Sequence, residues 1–66
     1  MNIVLNGESR QLKPDTTVSE LLGTLELTGK RVAVEINGDI APRSQHAALQ
    51  IRDGDRIEIV HAIGGG

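Results

Sequence analysis

Residues 16–27 read "TTVSELLGTLEL". Val18, Leu21, Leu22 and Leu25 fall at i, i+3, i+4 and i+7, the spacing that lines one face of an α-helix. Thr17 stands just before that run and Glu20 follows three residues later, the pattern of a capping box that satisfies two amides at a helix start. The spacing predicts a short amphipathic helix from about Val18 to Leu25. Gly23 falls on the opposite side and weakens the helix somewhat, and Gly29 is the expected stop signal. With a single apolar stripe, such a helix must cover something, and the flanking sequence supplies a sheet.

Upstream, Asn2 to Leu12 reads as a hairpin. Ile3 and Leu5 alternate with Asn2 and Asn6, and Asn6-Gly7 tolerates the positive φ angles of a type I′ turn. The return strand, Ser9 to Leu12, is polar and belongs at a sheet edge, and Pro14 and Asp15 break the ladder. Downstream, Val32, Val34 and Ile36 alternate with Ala33 and Glu35, and Asn37-Gly38 repeats the hairpin signal. A short strand over Asp39 to Ala41 is ended by Pro42. In "RSQHAALQI" (residues 43–51), Ala47, Ala48, Leu49 and Ile51 suggest an irregular turn pressed onto the sheet. Asp53 to Asp55, "DGD", is a tight turn into a last strand, "RIEIV" (56–60), where Ile57 and Ile59 alternate with Arg56 and Glu58.

Composition narrows the functions. The 66 residues contain no cysteine and no Phe, Tyr or Trp. Disulfides, thiolate metal sites and nucleophilic thiols are therefore out, and the core is aliphatic. Two histidines, His46 and His61, are too few for a metal site without distant carboxylates. A net charge of −2 and the missing stacking platforms argue against nucleic acid. The start "MNIVLNGESR" lacks the apolar core of a signal peptide, and no stretch approaches the roughly 20 apolar residues of a membrane span. A cytoplasmic protein is expected. Nothing in the chain resembles a phosphate-cradling loop or an acid–base pair, so catalytic residues are not expected either.

The order strand, strand, helix, strand, short strand, strand points to an α+β chain with the β-grasp, or ubiquitin-like, fold. In it one main helix covers one face of a mixed four- to five-stranded sheet, with the first and last strands side by side and parallel. Residues 1–63 form the domain running into its tail, and residues 64–66 a flexible glycine arm. That arm closes "HAIGGG" (61–66) and raises the question of what three residues without side chains are for.

Taken together, "NIVLNGESRQL" (2–12), "TTVSELL" (16–22), "VAVEINGDIAPRSQHA" (32–47) and "DGDRIEIVHAIGGG" (53–66) resemble the sulfur carrier proteins of thiamine (thiazole) biosynthesis, the ThiS family, over the whole length. The resemblance implies a carrier and not an enzyme. An E1-like adenylyltransferase would use MgATP to adenylate the carboxylate of Gly66. Sulfur from a cysteine-derived persulfide, supplied by an enzyme such as cysteine desulfurase, would convert it to a thiocarboxylate, and thiazole synthase would take the sulfur. The chain itself binds no cofactor or metal in this reading. Gly65 and Gly64, with Ile63 before them, would thread the partner's narrow channel, which only a backbone free of Cβ atoms can enter closely. Many members end in two glycines; here Gly64 is a third.

Other residues carry less. Val60 is expected to finish the last strand and Ile63 to contact a partner. Arg43 is expected to pair with a local carboxylate and His46 to be a turn residue, while His61 lies near the reactive end. Asp53, Asp55 and Glu58 are available for steering a basic partner. The small subunit of molybdopterin synthase shares the fold, tail and activation chemistry, but is usually longer and richer in aromatic residues. A ubiquitin-like interaction module, with a tail that is never activated, is the alternative from another class. A ubiquitin-style modifier of lysines is a further one.

Overall fold

The helix forms where the spacing puts it. In the computed structural model, which describes residues 1–61, α1 spans Val18–Thr24 and buries Val18, Leu21 and Leu22. All of its first-turn amides find acceptors. Val18 N–H donates to the Leu49 carbonyl and Ser19 N–H to the His46 carbonyl. Glu20 N–H donates to Thr17 Oγ1, and the Glu20 carboxylate accepts from Thr17 N–H in return. The capping box is therefore present, with two further donors satisfied by a distant segment.

The helix stops before Gly29. Leu25 is the C-cap, and Glu26 takes the left-handed conformation (φ 60°) that ends the helix. Leu27 N–H donates to the Leu22 carbonyl and Glu26 N–H to the Gly23 carbonyl, which together make a Schellman motif. A glutamate thus does the work usually given to glycine. Gly29 (φ 79°) belongs to the turn that follows.

The strands are β1 (Asn2–Leu5), β2 (Glu8–Gln11), β3 (Val32–Ile36), β4 (Asp39–Ala41) and β5 (Arg56–His61). They form one sheet in the order β2-β1-β5-β3-β4, with β1 and β5 parallel and the other pairs antiparallel. The last strand is at the centre. This is the β-grasp arrangement expected from the order of elements. Both hairpin turns have positive φ at their two central residues, 49° and 84° at Asn6-Gly7 and 52° and 88° at Asn37-Gly38.

Register sorts the side chains. Leu5 lies opposite Ile57, and Ile59 opposite Val34, so these residues share the face that α1 covers. With Ile3, Ala41 and Ile51 they complete an all-aliphatic core around the helix. The edges are blunted: β2 is exposed and polar throughout, and β4 is three residues long and followed by Pro42.

Segment 43–51 differs from its expected placement. Arg43–Gln45 form a 3-10 turn, and the chain then lies along the start of α1, where Gln50 bridges to Thr17. Ile51 enters the core, Leu49 is half-buried, and Ala47 and Ala48 are exposed. His46 is the residue that turns inward instead, only 6% exposed. Among the described residues, no helix is long and apolar enough to cross a membrane.

Candidate functional site at the end of the last strand

Residues 62–66 follow directly on β5, so the strand's supports set where that segment starts. Strand β1 ends at Leu5, too early to pair with all of β5. Asn6 extends the ladder by one step. Its amide donates to the Ile57 carbonyl. Its side chain then takes both polar groups of Ile59: Oδ1 accepts from Ile59 N–H at 2.8 Å, and Nδ2 donates to the Ile59 carbonyl at 3.3 Å. On the other side β3 pairs along β5 to the end, with Val32 opposite His61.

The beginning of β5 is held in the same manner by the second hairpin turn. Asn37 Oδ1 accepts from Arg56 N–H at 2.9 Å, and Asn37 Nδ2 donates to Asp55 Oδ1 at 3.0 Å. The other oxygen of Asp55 accepts from Arg52 N–H. Each Asn-Gly turn therefore closes its own hairpin and also pins β5. The sequence reading recognised the turns and missed the clamps. The available signal was asparagine at the first position of both, since glycine fits a type I′ turn equally well but has nothing to reach with.

The other sequence-selected residues divide clearly. Asp53 Oδ1 accepts from Asn2 N–H, so Asp53 and Asp55 have local structural roles that the steering reading did not give them. Glu58 is exposed and lies opposite Glu35 in the β3–β5 register, two like charges side by side. Val60 belongs to the last strand as expected, and its side chain is 54% exposed on the face away from α1, because it alternates with buried Ile59. His61 is exposed and is the last residue of β5. No hydrogen bond among the described residues joins the Arg43 guanidinium to a carboxylate, contrary to the local pairing expected. His46 is a turn residue as expected, and a buried one: Nε2–H donates to the Ala41 carbonyl at 2.8 Å. Ile63, Gly64, Gly65 and Gly66 lie outside the described residues.

Among the described residues no group of three or more His, Cys, Asp or Glu is placed to hold a metal ion. What the arrangement offers is mechanical: a central strand fixed on both sides, with its outgoing end next to the first residue of β3.

Comparison with known proteins places this architecture. The ThiS family model matches residues 3–66. The sulfur carrier protein ThiS of Bacillus subtilis is 41% identical over 63 residues, which cover 94% of this chain and 96% of that protein. A thiazole synthase of Paramagnetospirillum magneticum is 47% identical over all 66 residues, and the chain spans only 20% of that longer relative. The crystal structure of the thiamine biosynthesis protein ThiS from Geobacter metallireducens superposes with a TM-score of 0.87 at 33% identity, each chain fully covered. By strand order, by the whole-length match and by the family model, this chain belongs to the ThiS family.

Proposed function

We propose that this chain is a sulfur carrier of thiamine biosynthesis whose reacting atoms are the carboxylate oxygens of Gly66. The observation that supports it is β5 itself: a strand clamped by Asn6 and β3, leading into a segment that ends in three glycines. A rigid platform with a side-chain-free extension suits delivery of a carboxylate into an enclosed site.

A carboxylate resists sulfur nucleophiles until it carries a leaving group. In this proposal an E1-like adenylyltransferase transfers AMP from MgATP to Gly66 and releases pyrophosphate. The terminal sulfur of a persulfide, charged by a cysteine desulfurase, attacks the acyl carbon and expels AMP. A thiol then reduces the acyl disulfide to the thiocarboxylate. Thiazole synthase is the acceptor, a role suggested by the thiazole synthase relative that contains a segment like this chain. Gly64 and Gly65 thread the channel, Ile63 anchors the segment behind them, and the chain contributes no catalytic group.

Intact-mass analysis after incubation with MgATP, a persulfide source and the adenylyltransferase tests the reading. Exchange of one carboxyl oxygen for sulfur adds about 16 Da, and fragmentation must place it on Gly66, away from Met1 oxidation. No gain from a partner that is active on another carrier would refute it.

A further inference from the structure

A cleft of about 250 Å³ opens between α1, the turn that follows it and the turn after β4. Leu22, Leu27 and Val32 form its apolar lining, and Lys30, Arg43 and His46 border it. Among the described residues no carboxylate lines it, in a chain with nine acidic and seven basic side chains. His46 adds a second, independent feature. The residue is more than nine-tenths buried, and Nε2–H is committed to the Ala41 carbonyl. Its other ring nitrogen has no hydrogen-bond partner among the described residues. His46 is itself one of the residues that line the cleft.

The position matters as much as the chemistry. Val32 is opposite His61 in the β3–β5 register and on the same face, so the cleft adjoins the His61 end of β5. Adjacent strands are only about 4.8 Å apart. A partner that engages the residue after His61 must therefore come close to this cleft.

We propose that the cleft is a docking socket for a carboxylate side chain with an aliphatic neighbour, presented by the thiazole synthase that takes up the tail. The proposal rests on that enzyme being the acceptor. Charge selects the occupant: Arg43 offers a planar fork suited to a carboxylate and Lys30 a second cation. The apolar lining accepts the stem of the incoming side chain and its neighbour. The volume falls below the roughly 300–1,000 Å³ of sites that enclose a whole small ligand, but it accommodates one side chain. Two contacts on one chain, tail and socket, reinforce each other because the second forms at high effective concentration.

The test is the affinity of the full chain for purified thiazole synthase, measured by calorimetry, against the double variant Lys30→Glu/Arg43→Glu. Both side chains are exposed, so the melting temperature is expected to stay within about 2 °C of the original, while binding weakens about tenfold or more. Lys30→Arg is expected to bind as the unaltered chain does. Unchanged affinity of the double variant overturns the socket, and so does an unaltered chain that does not bind the synthase. Inorganic phosphate alone, titrated while the His46 ring resonances are followed, covers a small free anion. Saturable shifts together with unaffected synthase binding overturn the protein-docking assignment. The mass assay on the same samples separates the two readings. A chain that binds through the cleft but never gains sulfur sinks the carrier chemistry and leaves the socket standing. A chain that gains sulfur while the double variant binds normally sinks the socket alone.

Discussion

Replacing Asn6 with glycine isolates the clamp on β5. Glycine accepts the positive φ that Asn6 adopts (49°), so the type I′ turn survives and only the side-chain amide is lost. Two hydrogen bonds go with it, at 2.8 and 3.3 Å, both partly shielded from water because Ile59 is a core residue. A net value of about 0.5–1.5 kcal/mol per bond applies, with the longer bond at the low end. Relief of the left-handed conformation and the greater freedom of glycine when unfolded oppose each other and roughly cancel. The expected loss is about 1.5 kcal/mol. For a chain of this size each kcal/mol moves the midpoint by about 4–8 °C, so melting falls by about 6–12 °C. Asn37→Gly is the internal comparison. Its bonds to Arg56 and Asp55 are solvent-exposed, where about 0.5–1 kcal/mol is expected. Far-UV circular dichroism is the assay, since a chain without aromatic residues has no tryptophan or tyrosine signal. Amide exchange at Ile59 reports the same event locally. Melting of Asn6→Gly within about 2 °C of the original, or a larger loss for Asn37→Gly, would refute the argument.

Three other substitutions test the account of the core and helix. Glu26→Gly removes a side chain from the left-handed C′ position (φ 60°); it is expected to stabilise by about 0.5–1 kcal/mol, read as a higher urea midpoint at unchanged slope. Gly23→Ala adds a methyl on the exposed side of α1, where its nearest neighbour is Thr28 Oγ1 at 3.6 Å, an ordinary contact; a gain of about 0.8–1 kcal/mol is expected in the same titration. Ile57→Ala empties the fully buried middle of the sheet. Its cost of about 2–5 kcal/mol rivals the roughly 3–10 kcal/mol that 66 residues provide, so the amide spectrum is expected to collapse toward unfolded shifts near room temperature.

These predictions separate platform from payload. Removing Gly65 and Gly66 is expected to leave the melting temperature unchanged and to abolish sulfur loading in the mass assay, because neither residue can contribute a side chain to the core. Weakening the Asn6 clamp acts in the opposite sense: the glycines are intact, but the strand that presents them is looser.

Local patterns were readable directly. The capping box at Thr17 and Glu20, the two Asn-Gly turns and the inward alternation of Ile57 and Ile59 rest on residues within four positions of one another. The local chain can adopt few alternatives there, so spacing and residue type suffice. The strand order followed from them, because one short helix and parallel first and last strands leave few sheets to build. The glycine ending was equally plain as a pattern. Tertiary structure decided the rest. Asn6 meets Ile59 across 53 residues, and Asp53 meets Asn2 across 51; no local period encodes such pairs. His46 turns inward because the start of α1 lies over it and the Ala41 carbonyl needs a donor. Val60 faces outward because the register gives Ile59 the inner face, and the cationic cleft exists only because the chain folds Lys30, Arg43 and His46 to one side of the helix. The physical division is between short-range sterics, which act within a few residues, and desolvation, which depends on whatever the fold brings alongside.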